Sequence, residues 1–303
     1  MEQVLKQFKT VTRSYTVFHI VFFSLGLLEL VSFILFFSFF TKSSLVAFAL
    51  AAILLTVFSY FVLLFYYQGK KPEQLFELRK QFLLTHKDPQ TTIASTLDLI
   101  EQLDRLEYTY YRLPKYFTTL SPLLQKFSCW SHWKDVHQMK ELLLLSVIEQ
   151  TIEIVKERPL DLQSHSSLGD AFMELSKLYT DPGELRPTLW TSSEYQSPEM
   201  KERFTKAAEK ALIEFQIVKH FAPQNAWVHA KLASIYKSLG RSKDEIREYE
   251  AILQLSPQDK EVLLCLGILY FQVGQTAQAL EIYEQLKQSD DPAAAQELIS
   301  HYL

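Results

Sequence analysis

Glycine is scarce in this 303-residue sequence, with seven in all, and cysteine is scarcer, with two. So few glycines disfavour folds rich in tight turns, and no phosphate-cradling glycine loop is present. Cys129 and Cys265 offer neither zinc-ligand spacing nor a disulfide framework. Cys265 lies in an apolar helical stretch, where a small buried hydrophobe is the expected role. Nucleophile elbows and paired catalytic carboxylates are also missing, so the sequence reads as non-enzymatic, with no metal and no cofactor. Charge is unevenly spread. Residues 1–71 hold six Lys/Arg and two acids, and the remainder holds 25 basic against 33 acidic residues. That acidic remainder argues against a nucleic-acid partner, because phosphate binding needs clustered Lys and Arg. No small-molecule substrate is expected either.

Long apolar runs are what the first part does have. One extends from Tyr15 to Phe40 and a second from Leu45 to Tyr67. Each exceeds the roughly 20 residues that a helix needs to cross about 30 Å of hydrocarbon. Only Thr41-Lys42-Ser43-Ser44 separates them, which implies a tight antiparallel hairpin over 15–67 with its turn at 41–44. Read as a signal peptide, the first run has too long an apolar core and no small-residue cleavage site before the second. Lys6, Lys9 and Arg13 precede the hairpin, and Lys70, Lys71, Arg79 and Lys80 follow it, against Lys42 alone in the turn. The positive-inside bias therefore places residues 1–14 and everything after residue 70 on the cytoplasmic side of an integral membrane protein.

Glu29 is an acid near the middle of the first span, where acids are expensive. The turn is centred between residues 42 and 43, so Glu29 and Thr56 stand at equal depth on the two helices. Ala52, Thr56 and Ser59 form a small, polar-tolerant helix face. The sequence predicts an intramembrane Glu29–Thr56 pair, either a structural hydrogen bond or part of a proton or ion relay.

Residues 70–138 read as a helical linker region. Pro72 opens a run to about His86, Lys87-Asp88-Pro89 makes a turn, and Thr91 or Thr92 caps an amphipathic helix to about Tyr111. Ile93, Leu97, Ile100, Leu103 and Leu106 keep its apolar stripe. Pro114 ends that element, and a short helix over Pro122–Phe127 is expected. His132 and His137, five apart with no acid or cysteine at ligand spacing, read as aromatic packing with Trp130 and Trp133.

The last part repeats itself. Leu232-Ala233-x-x-Tyr236-x-x-x-Gly240 returns as Leu266-Gly267-x-x-Tyr270-x-x-x-Gly274, displaced by 34 residues. Tyr249 and Tyr283 recur at the same interval, with Pro257 closing the first unit and Pro292 one place beyond in the second. Leu next to Ala or Gly lets two helices approach closely, and the tyrosine fills the gap beside them. This pattern resembles the tetratricopeptide repeat family, whose 34-residue unit is a helix–turn–helix. Ala279 matches the family's small residue in the second helix, whereas Glu245 departs from it, which predicts looser packing there.

An earlier unit, 162–225, carries Leu168-Gly169-x-x-Phe172 and Ala211-x-x-x-Phe215 around an insertion at about 181–200. Trp190 and Tyr195 give that insertion adhesive side chains for either a partner contact or a mobile loop. The all-α array therefore spans 139–292, with units 162–225, 226–259 and 260–292, a degenerate helix over Met139–Glu157 and a capping helix at 293–303. The resemblance implies a curved solenoid that binds protein or peptide partners on its concave face. Ser166, Asp170, Trp227, Ser234, Lys237, Leu264, Ile268 and Phe271 project there, unless the capping helix covers the last three. Together with the anchor in the lipid bilayer, these features predict a membrane-anchored scaffold or adaptor. The alternatives are an accessory subunit of a membrane biogenesis or secretion machine, or a small transporter subunit using Glu29.

Overall fold

The computed structural model describes residues 2–35, 45–85, 89–109, 121–180, 193–288 and 292–301. Among them there is no strand, and eleven α-helices follow one another along the chain. These are α1 (Glu2–Leu35), α2 (Leu45–Thr85), α3 (Pro89–Thr109), α4 (Ser121–Glu157), α5 (Leu162–Leu178), α6 (Pro198–Phe221), α7 (Ala226–Ser238), α8 (Ser242–Leu255), α9 (Lys260–Gln272), α10 (Thr276–Gln288) and α11 (Pro292–Ser300). Two compact units divide them, one up to Leu143 and one from Leu144 onward.

In the first unit α1 and α2 pack along one another and change character along their length. Toward the expected turn their apolar side chains face outward: Phe23 is 83% exposed and Phe48 73%. At the other end the same two helices turn apolar groups inward. Val4 and Phe8 of α1 and Leu75, Leu78 and Phe82 of α2 form a core with Leu99, Leu103 and Leu106 of α3 and Val136, Met139 and Leu143 of α4. A helix of 34 residues is about 51 Å long. It is therefore longer than the roughly 20 residues that cross about 30 Å of hydrocarbon, and several turns at its base pack against other helices.

The linker differs from the sequence expectation in two ways. Pro72 does not open a new helix but lies inside α2, which runs unbroken from Leu45 to Thr85. Proline there removes one intrahelical donor, and the buried Leu75, Leu78 and Phe82 just beyond it hold the helical course. The expected short helix over Pro122–Phe127 and the degenerate helix over Met139–Glu157 are one helix, α4. No glycine or proline lies between Pro122 and Pro159 to interrupt it. Pro89 and Pro122 stand at helix starts, where a missing N–H is harmless.

Buried charge fastens this core. Lys71 of α2 meets Asp135 of α4, and Lys140 of α4 meets Asp104 of α3. Lys71 also stands over the Tyr15 ring at 4.8 Å, and the Tyr15 hydroxyl donates to Gln74 Oε1 at 3.1 Å. Burial pushes the Asp135 carboxyl above its usual range, with Lys71 opposing it. His132 is buried, and that burial together with nearby Lys71 lowers it to about 4, so it is a neutral packing residue. Trp133 meets His137 edge-on at 6.1 Å. Among the described residues no three His, Cys, Asp or Glu gather as a metal site.

In the second unit helices pair antiparallel by repeat: α5 with α6, α7 with α8, α9 with α10, and α11 on the last pair. Asp161, Ser197, Asn225 and Asp259 cap α5, α6, α7 and α9 by accepting backbone N–H bonds. Gly240 and Gly274 end α7 and α9 at φ 68° and 79°. Each closes the same motif: Arg241 N–H donates to Tyr236 O, and Gln275 N–H to Tyr270 O.

Candidate functional site

The Glu29–Thr56 pair and the repeat array are the two places where sequence pattern pointed to function. In the hairpin, Thr56 Oγ1 donates to Glu29 Oε1 at 2.8 Å. Glu29 Oε2 is enclosed without a hydrogen-bond partner among the described residues. One turn from Glu29, Gly26 borders a cleft of about 410 Å³ with Phe22, Leu30, Thr56 and Tyr60. The expected turn at 41–44 lies outside the described residues.

The repeat positions do what close helix packing requires. Leu232 and Ala233 are fully buried, Leu266, Gly267, Tyr236 and Tyr270 are buried, and Tyr249 and Tyr283 are half-buried. A Cβ on Gly169 would lie 2.8 Å from the Phe215 ring, and one on Gly267 would lie 2.7 Å from Leu298 of α11. Glycine is therefore the residue that these two crossings admit. Tyr236 accepts from Gln216 Nε2 at 3.3 Å, while Tyr270 donates to Glu250 at 2.7 Å; each contact joins a tyrosine to the preceding repeat's second helix. Ala279 is fully buried in the last pair. Glu245, at the corresponding position, does not leave the packing open: it is itself buried, and burial raises its carboxyl pKa against the pull of Lys237. Pro257 sits in the exposed turn after α8.

A contact that the sequence reading missed recurs between the paired helices of two repeats. His165 on α5 holds Glu214 Oε2 of α6 with Nδ1 at 2.6 Å and Pro159 O with Nε2 at 3.0 Å. His229 on α7 holds Glu248 Oε2 of α8 with Nδ1 at 2.6 Å and Pro223 O with Nε2 at 2.9 Å. Lys219 donates to Glu248 as well, at 2.7 Å. Burial alone would lower the His165 pKa, but its bonds to Glu214 and Pro159 O outweigh this and hold it above its ordinary range. The signal was in the sequence. His165 and His229 lie 64 residues apart, as do Pro159 and Pro223, and Glu214 and Glu248 lie 34 apart.

The residues expected on the open face are unequally available. Trp227 is 43% exposed, edge-on to Phe215 and under Lys231 at 5.2 Å. Ser234 and Lys237 are exposed. Asp170 is half-buried and accepts from Lys231 at 2.7 Å. Ser166, expected on that face, is buried, because it lies on the side of α5 turned into the repeat. Leu264, Ile268 and Phe271 are half-buried against the core that α9 and α10 share with Ala294, Ala295 and Leu298 of α11. Tyr195, expected as a contact in the insertion, is buried in a short 3₁₀ turn beside α6, and Trp190 lies outside the described residues. Cys265 corrects a further expectation. It is exposed rather than buried, although enough of the thiol is covered to push its pKa up.

The tetratricopeptide repeat family model matches residues 246–302, which span α9, α10, α11 and most of α8. No curated protein matches the chain. Among solved structures, a thermophilic TPR protein of Thermus thermophilus is 18% identical over 71% of this chain and 99% of its own, with a TM-score of 0.36. MamA from MSR-1 is 14% identical over 78% of this chain and 98% of its own, at 0.35. A monomeric mutant of IFIT1 with Gppp-AAAA is 12% identical over 75% of this chain and 58% of its own, at 0.39. All three scores lie below 0.5, so the weight rests on the family match and the 34-residue register. Residues 246–302 of this all-helical chain are therefore tetratricopeptide repeat sequence.

Proposed function

We propose that the chain is a membrane-anchored scaffold whose repeats hold protein or peptide partners beside the cytoplasmic face of a bilayer. The observation that carries the anchor is the outward apolar surface of α1 and α2. A core helix of a soluble protein buries such residues, yet Phe23, Leu35, Phe48 and Phe65 are each at least 70% exposed. Both helices are long and apolar enough to span, and basic residues gather at their non-turn ends. The repeats supply the binding part, since stacked helix pairs present an extended face rather than a catalytic pocket. Glu29 serves assembly in this reading: its partner Thr56 belongs to the neighbouring helix of the same hairpin.

A photo-crosslinking residue placed in turn at Ser234, Lys237 and Ile213 of the full chain in native membranes tests the binding part. Ser234 and Lys237 are exposed on the expected open face, and Ile213 is exposed on α6. Discrete protein adducts at the first two positions and none at Ile213 are the expected result. Adducts independent of position, or a crosslink to lipid alone, would remove the scaffold reading.

A further inference from the structure

The histidine contacts within the repeats carry a consequence for proton dependence. In each, one ring nitrogen faces a backbone carbonyl, Pro159 O or Pro223 O, and the other faces a carboxylate oxygen of Glu214 or Glu248. Carbonyls and carboxylates only accept hydrogen bonds, and neutral imidazole has a single N–H. Only the imidazolium serves both partners at once. When the proton leaves, one nitrogen lone pair is turned on an oxygen lone pair at under about 3 Å, inside hydrogen-bond contact distance.

The third repeat provides the comparison within the same molecule. Thirty-four residues after His229 and Glu248 stand Leu263 and Ile282, and Pro257 follows Pro223 at the same interval. Leu263 and Ile282 are both buried in one apolar cluster. The position filled in two repeats by a histidine–glutamate contact is filled in the third by a hydrocarbon contact.

We propose that the contact at the head of α5 is a proton-dependent clasp, closed by histidinium at His165 and loosened as it deprotonates, while the apolar contact of α9 with α10 ignores pH. The groups facing that histidine are consistent with this. Around His165 stand Glu214 on α6 and Asp161 at the start of α5, with Arg158 close to Asp161. Acidic partners outnumber cations at the His165 ring and keep it protonated. A group protonated more readily in the folded state adds stability below its unfolded pKa and loses it as pH rises through the folded value. The repeat that carries His165 and Asp170 thus stiffens toward acid pH, and the last repeat with its cap does not change.

Backbone hydrogen exchange of the full chain in lipid nanodiscs, at about pH 6 and about pH 8.5 and corrected for intrinsic rate, tests this directly. Protection across the first turn of α5 should fall severalfold at the higher pH and stay constant across α9. Unchanged protection at α5, or an equal fall at α9, would overturn the proposal. A chain with His165→Leu and Glu214→Ile, copying the third repeat, should lose the pH response at α5. Retention of the response at α5 in that variant would equally defeat it.

Discussion

The hairpin and the repeat array solve opposite solvent problems with the same secondary structure. Along the outer parts of α1 and α2 the large apolar side chains point away from the protein, and the polar pair Glu29–Thr56 joins the helices between them. In the repeats the leucines, tyrosines and small residues point inward, and Ser234, Lys237 and Arg247 face out. The first arrangement suits hydrocarbon, where a hydrogen bond between helices replaces hydrophobic burial as the specific contact. The second suits water, where apolar area removed from solvent dominates. The base of the hairpin is where one pattern gives way to the other, and its core follows the second rule.

That contrast can be broken most severely at the base. Asp135→Leu alone strands Lys71 beside a buried site and should destabilise the first unit by about 3 kcal/mol. Combining it with Lys71→Met should recover most of that loss, read as a thermal midpoint in detergent. If the single and double variants behave alike, the ion pair is not what fastens α4 to α2.

The close crossings of the repeats come next. Gly169→Ala drives a methyl group into the fully buried Phe215 ring and should cost about 1–3 kcal/mol. Up to about 1 kcal/mol of this is offset by better helix propensity. Gly267→Ala meets the movable end of Leu298 instead and should cost less. Gly274→Ala, at φ 79°, should cost about 1–2 kcal/mol through backbone strain alone. Denaturant midpoints of the full chain rank the three.

The smallest effect is expected inside the hairpin. Glu29→Gln keeps an oxygen for the Thr56 hydroxyl, so assembly and thermal midpoint should change by less than about 0.6 kcal/mol, the usual size of such interhelical bonds. A large loss of assembly with Glu29→Gln would mean that the carboxyl does more than accept this bond.

How much of this was legible in the sequence depended on whether a residue's partner lies at a fixed interval. The Leu232/Leu266, Tyr236/Tyr270 and Gly240/Gly274 register locates helices, turns and crossings, because a repeat encodes its neighbour's position in its own period. Equal distance from the turn likewise paired Glu29 with Thr56. The linker was misread because proline was given its usual helix-breaking weight at Pro72, whereas tertiary packing of Leu75, Leu78 and Phe82 overrides it. Its buried pairs, Lys71 with Asp135 and Lys140 with Asp104, join helices with no shared period. Exposure was hardest to foresee. Ser166, Tyr195 and Cys265 each lie on the other side of their element from the one expected, since small polar and aromatic residues suit either face. The histidine clasps were periodic and so readable, but their register crosses the insertion at 64 residues rather than 34.

The central claim is an anchor that spans a bilayer twice and keeps the repeats on the cytoplasmic side. Maleimide labelling in sealed, right-side-out vesicles tests it most directly, using one chain whose only cysteine is the exposed Cys265 and another whose only cysteine is Lys42→Cys in the turn. The account predicts that an impermeant reagent labels the turn cysteine in intact vesicles and reaches Cys265 only after detergent is added. Labelling of Cys265 in intact vesicles, or release of the chain from membranes by alkaline wash, would contradict it.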